Sequence, residues 1–173
     1  MAKSDSFFIR ASVPLTLATA FQTTSIDLGA YVDALGKSVL RIHNIVASFQ
    51  ASNGKQPTMA DNAAGACGWQ LTTQDQSSMV LPSDRAVISS GSIWARNPDG
   101  AINAPTQVFE ADMLPQEWTN GYLVAVESLQ LGGFRTDEWT ASEFPVVSIV
   151  MECTVETLSA AGAMALALSQ QGN

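Results

Sequence analysis

Apolar and polar side chains alternate with a period of two along much of this chain, most clearly in Ser38-Val-Leu-Arg-Ile-His-Asn-Ile-Val-Ala-Ser-Phe-Gln50. A strand is predicted there, because successive side chains of extended backbone point to opposite sides of a sheet. Strict alternation places Leu40, Ile42, Asn44 and Val46 on one face, and Val39, Arg41, His43 and Ile45 on the other. The same pattern predicts strands over residues 7–17, with Pro14 as an edge or bend, and more weakly over 21–28. Further strands are predicted over 69–74, over 85–95 with Gly91 as the candidate bulge, and over 145–155. The strongly apolar run 121–131 reads as one fully buried strand stopped by Gly132-Gly133. Residues 105–118 are mixed, with Pro115 as a break. Ser52-Asn-Gly-Lys55 and Asn97-Pro-Asp-Gly100 are turn sequences, and residues 56–68 form a loop rich in Ala, Asn and Gly. Tyr31-Val-Asp-Ala-Leu-Gly36 suits a single helical turn closed by its glycine.

Seven or eight strands with turns between them and no alternating helices predict an all-β chain, an antiparallel β-sandwich. The long 56–68 loop and the helical turn near 31–36 favour a jelly roll, whose connections tolerate such insertions. The domain is expected over residues 1–157. Beyond it, Leu158-Ser-Ala-Ala-Gly-Ala-Met-Ala-Leu-Ala-Leu-Ser-Gln-Gln171 predicts a C-terminal helix, N-capped by Thr157 or Ser159. Left alone in water, Leu158, Met164, Leu166 and Leu168 would form an apolar stripe. The 158–173 tail is therefore expected to pack on the domain or on a neighbouring subunit.

Composition narrows the function. Hydrophobic residues make up 46% and charged residues only 14%, which fits a chain with much of its surface covered. The net charge is −8 and the eight basic residues are scattered singly, so no stripe exists that could neutralise a run of phosphates. No direct nucleic-acid contact is expected. Past Arg135 there is no Lys or Arg, while Asp137, Glu138, Glu143, Glu152 and Glu156 follow, a balance unattractive to anionic lipid. Cys67 and Cys153 belong to no CxxC pair and read as buried free thiols. The N-terminus lacks the apolar core of a secretory signal, and no stretch reaches membrane-span length, so synthesis in a cytoplasm is expected.

No catalytic constellation assembles in the sequence. His43 is the only histidine, and a Ser–His–Asp relay through Asp27 or Asp33 lacks any nucleophile motif. A DxDxDG calcium loop is missing, and the 97–100 segment is explained by turn chemistry. Glu110 with Asp112, or Asp137 with Glu138, are the carboxylate pairs that a glycosidase would need, and any acidic surface offers such pairs. No catalytic residue, metal site or cofactor is therefore expected. Of the four tryptophans, Trp118 and Trp139 lie among polar residues and are the expected exposed aromatics, which opens a carbohydrate-binding module as the alternative function.

Four segments carry a family resemblance: residues 26–45 (Ile-Asp-Leu-Gly-Ala-Tyr-Val-Asp-Ala-Leu-Gly-Lys-Ser-Val-Leu-Arg-Ile-His-Asn-Ile), Trp69-Gln-Leu-Thr-Thr-Gln74, Ala86-Val-Ile-Ser-Ser-Gly-Ser92 and Met151-Glu-Cys-Thr-Val-Glu-Thr-Leu158. They resemble small single jelly-roll major capsid proteins of tailless icosahedral viruses of aquatic microbes. The resemblance implies a structural subunit of a virion, self-assembling into an icosahedral shell through jelly-roll and tail contacts. Its implied partners are copies of itself, with minor capsid or vertex proteins and an internal membrane as further candidates. The family has no catalytic residues to carry over. Many capsid proteins that touch the genome have a basic N-terminal arm, whereas this chain has only Lys3 and Arg10 in its first 36 residues.

Overall fold

The computed structural model describes residues 4–33, 37–98, 107–112 and 116–171. In chain order these form β1 (Phe7–Pro14), β2 (Gln22–Asp27), β3 (Ser38–Gln50), β4 (Ala64–Thr72), β5 (Val87–Arg96), β6 (Gln107–Asp112), β7 (Gln116–Val124), β8 (Ser128–Arg135), β9 (Val146–Thr157) and α1 (Ala160–Gln170). The strands make a front sheet, β1-β9-β3-β7, and a back sheet, β2-β8-β4-β5-β6, with antiparallel pairing throughout. The pairing is nested: β1 with β9, β2 with β8, β3 with β7 and β4 with β5, falling alternately in front and back. One long hairpin wrapped around itself in this way is a jelly roll. Eight strands make the roll, and β6 widens the back sheet by pairing with β5.

The core lies between the sheets, where each contributes alternate side chains. Leu40, Ile42, Ile45, Ile149 and Met151 from the front meet Leu71, Leu129 and Leu131 from the back, with Leu15 and Leu28 from connections, all within 1% of full burial. Cys67 and Cys153 are buried free thiols among them. Burial pushes the Cys67 thiol up against a smaller lowering effect of Arg135, and pushes Cys153 up to about 12 with help from Glu152.

Four elements differ from the sequence-based expectation. β3 keeps its bounds but not its alternation: the ladder slips between Ile42 and Asn44, so that Ile45 and Ala47 turn inward and Val46 outward. A bulge at His43 absorbs the phase change between the apolar sets 40/42 and 45/47. β4 begins at Ala64, five residues earlier than expected, and Gly91 pairs regularly with Trp69; the slips against β5 lie beside Thr72 and Trp94. The 121–131 run is two strands, β7 and β8, because Val124, Ala125 and Val126 are buried by packing around a turn rather than within one strand. The helical turn sits earlier than 31–36: Leu28 O accepts from Tyr31 N (2.8 Å) and Val32 N (2.9 Å), and Asp33 then bridges Ser38. Gly36, Asp99, Gly100 and Pro115 lie outside the described residues.

Gly132 and Gly133 do not stop a strand; they sit within β8, buried on its two faces. Phe21 covers the outer face at Gly132, where an added Cβ would be 2.2 Å from Phe21 Cζ. Phe134 lies in the same way over Gly68, 2.5 Å from a Cβ there. An aromatic ring laid over a glycine restores the packing that the missing side chain would have supplied. The back sheet is also covered by the segment between β4 and β5. The buried Gln70 side chain holds it, donating to Ser78 O (3.2 Å) and accepting from Val80 N (3.0 Å).

Candidate interaction surfaces

Helix α1 starts as its sequence dictates: Ser159 is the N-cap and its Oγ accepts from Gly162 N at 3.1 Å. Small residues face the domain. Ala163 (0% exposed) and Ala167 (6%), one turn apart, pack with Ala125 and with Val39 on the outer side of β3. Gln170, one turn further on, fixes the far end. Its Oε1 accepts from Ala125 N (2.8 Å) and its Nε2 donates to Leu123 O (2.6 Å). Its main-chain oxygen accepts from Thr73 Oγ1 (3.2 Å) and Gln74 Nε2 (3.0 Å). Replacing Gln170 with alanine strands a buried N–H and a partly buried C=O, and is expected to cost about 2 kcal/mol. Urea unfolding read on the intact chain checks this, and an unchanged midpoint would show that water substitutes for the side chain.

The four tail residues divide. Leu158 and Leu166 are half-buried against the Ala face, whereas Met164 (49%) and Leu168 (65%) stand in solvent. No residue of the helix is charged, so its outward side is apolar and electrically neutral.

Of the two tryptophans expected to be exposed, Trp139 is not. It is 3% exposed, its Nε1 donates to Ala66 O at 3.1 Å, and its backbone bridges Met59. The polar neighbours that suggested exposure belong to a turn, while the bridge to Met59 carries the indole inward, where its one polar atom is satisfied. Trp118 is half-buried on β7 and lies 5.9 Å from Tyr122, tilted by 49°. The exposed indole is Trp94 (55%) on β5. Sequence reasoning passed over it, although its alternation with Ser90, Ser92 and Arg96 marks an outer face.

Other apolar side chains are exposed elsewhere. Phe8 (55%) and Val46 (45%) lie on the outer face of the front sheet, at registers Phe8–Glu152 and Val46–Val150. Leu81 (74%) lies between β4 and β5. Arg10 sits over the Phe8 ring at 5.6 Å.

The front sheet also carries a groove of about 380 Å3 lined by His43, Asn44, Glu117, Trp118, Thr119 and Glu152. Two irregularities form it. β3 bulges at His43, and opposite it β7 runs from Glu117, paired with Asn44, to Tyr122, paired with Ile42, leaving Trp118–Gly121 outside the ladder. Gly121 makes that excursion at φ +67°, where a Cβ would lie 2.6 Å from Arg41 Cγ and 2.9 Å from Ile42 O. Arg41 braces it by donating to Asn120 O, while its Nε and Nη2 grip the two Glu156 carboxylate oxygens at 2.8 and 2.7 Å. The Glu156 hydrogen bond raises the Arg41 pKa further above its ordinary value. His43 Nε2 lies 3.0 Å from Thr154 Oγ1, and Asn44 Oδ1 is shielded from solvent with no partner among the described residues.

These positions do not bring the relay candidates together. Asp27 lies in the back sheet, its carboxylate accepting from Gly29 N at 2.8 Å. Asp33 bridges Ser38, five residues and roughly 16 Å along β3 from His43. Asp137 and Glu138 are neighbours in the turn after β8, and Glu110 and Asp112 belong to β6. Among the described residues no three His, Cys, Asp or Glu side chains are grouped so as to hold a metal ion, and no helix is long and apolar enough to cross a membrane.

No protein-family model matches the sequence, and no curated protein matches it. Among solved structures, the unassembled KI polyomavirus VP1 pentamer is similar at TM-score 0.42 and 7% identity, over 89% of this chain and 95% of that one. The Desmodium yellow mottle tymovirus structure is similar at TM-score 0.39 and 11% identity, over 89% and 82%. Latent PorU from Porphyromonas gingivalis is similar at TM-score 0.35 and 8% identity, over 90% of this chain and 13% of that one. The jelly roll described above is defined by its own strand order, independently of these likenesses.

Proposed function

We propose that this chain is a structural subunit of a viral capsid, a major capsid protein that associates with copies of itself into an icosahedral shell. The observation that carries the reading is the distribution of exposed apolar side chains. Met164 and Leu168 project from α1, Phe8 and Val46 from the front sheet, Trp94 from β5, and Leu81 from the β4–β5 connection. A module built for one ligand concentrates such surface in one place, whereas a subunit in a closed shell meets neighbours on several sides. Each contact need not be strong, because closure multiplies weak ones. The segment resemblance supports the same class and adds the virion as location, with synthesis in the host cytoplasm. Minor or vertex proteins and an internal membrane are the further partners it suggests.

The test is the mass of the purified chain by light scattering, with negative-stain images of the same sample at low and high salt. Megadalton particles, or discrete trimers or pentamers, are expected. A clean 18.3 kDa monomer under all conditions overturns the proposal.

A further inference from the structure

From the groove on the front sheet we infer that the chain carries a saccharide subsite, selective for a neutral hexopyranoside, formed by Asn44, Glu117, Trp118, Thr119 and Glu152 beside His43. The inference rests on the groove and stands whether or not the chain builds a shell.

Three observations carry it. The site is made by two coordinated departures from regular pairing, the bulge at His43 and the Trp118–Gly121 excursion, and the second requires a glycine at positive φ. Bulges are over-represented beside active sites and at sheet edges, where they re-aim side chains or end pairing, and positive-φ backbone clusters at functional sites. The chemistry is that of a polyol site. Trp118 offers a partly buried indole whose accessible part can stack against the C–H face of a sugar ring, Glu117 and Glu152 accept from hydroxyl groups, and Thr119 both donates and accepts. Asn44 also lines the groove, and its Oδ1, shielded and lacking a donor among the described residues, would pair with a ligand hydroxyl once the amide turns toward the groove. Finally, a groove of about 380 Å3 is large enough to admit one hexose ring with its hydroxyl groups.

Charge sets the class. With two carboxylates lining the groove and a net charge of −8 on the chain, an acidic sugar would meet repulsion, so the ligand is a neutral glycoside. Acceptors outnumber fixed donors here, which suits a ligand rich in O–H groups.

The experiment is saturation-transfer NMR on the full chain, in whichever assembly state it adopts, with the methyl pyranosides of glucose, galactose and mannose. N-acetylneuraminate and tetramethylammonium serve as competing probes. At least one neutral glycoside is expected to bind with Kd of about 1 mM. Trp118→Ala and Asn44→Ala are each expected to weaken it about tenfold, while Trp94→Ala leaves it unchanged. Trp118→Phe, which keeps an aromatic ring against Tyr122, retains most of the affinity and guards against a folding defect in the alanine variant. Absence of transfer to every neutral glycoside overturns the inference. So does binding indifferent to Trp118 and Asn44, or a preference for the acidic sugar or the ammonium ion.

Discussion

Gly133→Ala is expected to lower the stability of this domain by about 3 kcal/mol, and the neighbouring Gly132→Ala by about half as much. The two glycines differ in what surrounds them. At Gly133 a new Cβ meets the Gly68 carbonyl oxygen at 2.8 Å and Leu15 Cδ2 at 3.1 Å. That oxygen belongs to the central β4–β8 ladder, where Gly68 is in register with Phe134, so relief requires the two strands to part. At Gly132 the closer contact, 2.2 Å, is to Phe21 Cζ, the tip of a half-buried ring that can swing outward over the back sheet. A steric measure based on distance alone ranks the pair the other way. Urea unfolding midpoints of the two variants decide between these views, and equal midpoints, or a worse Gly132→Ala, would show that the backbone yields more readily than the ring.

Met164→Asp with Leu168→Asp is expected to abolish assembly while leaving the unfolding midpoint of the subunit nearly unchanged. Both side chains already stand in water, so charge there costs the isolated fold little. Placed in a contact between copies, two unpaired carboxylates would each have to be desolvated, at several kcal/mol in total. Light scattering reads the loss of large species. Ser83→Asp supplies the comparison, being an exposed polar residue outside both the tail and the exposed apolar set. Intact shells from the double variant would remove α1 from the interface, whereas equal loss from Ser83→Asp would show a general response to surface charge.

The helix shows what the sequence could and could not convey. Its existence, its Ser159 cap and its apolar character were legible, because Ala and Leu favour helix and Ser caps it. Its docking face was not. The large residues suggest themselves as anchors, yet Ala163 and Ala167 lie against the domain, since their short side chains let the helix approach Val39 and Ala125 closely. Gln170 was likewise invisible as an anchor, because its value depends on the unpaired N–H and C=O groups that the end of β7 presents to it.

The fold class could be read from alternation, and β3 ran from Ser38 to Gln50 as expected. Its bulge was written in the adjacent polar pair His43-Asn44, where the apolar residues shift from even to odd positions. The turn between β7 and β8 carried no such mark: Ala125, Val126 and Glu127 include neither Gly nor Pro, and the first two are buried. The groove was the least legible feature, because it depends on the register of β7 against β3, which no local sequence signal specifies.

The nesting of the roll also orders events in time. β9 is an interior strand of the front sheet, hydrogen-bonded to β1 on one side and β3 on the other, yet it is formed by residues 146–157. During synthesis β1 and β3 must wait, unjoined, until β9 leaves the ribosome, and their pairing then closes loops of about a hundred residues or more. Because β9 leads directly into α1, the strand that completes the front sheet arrives just before the helix with the exposed Met164 and Leu168. Under the proposed function, the tail contact thereby becomes available only once the sandwich can close.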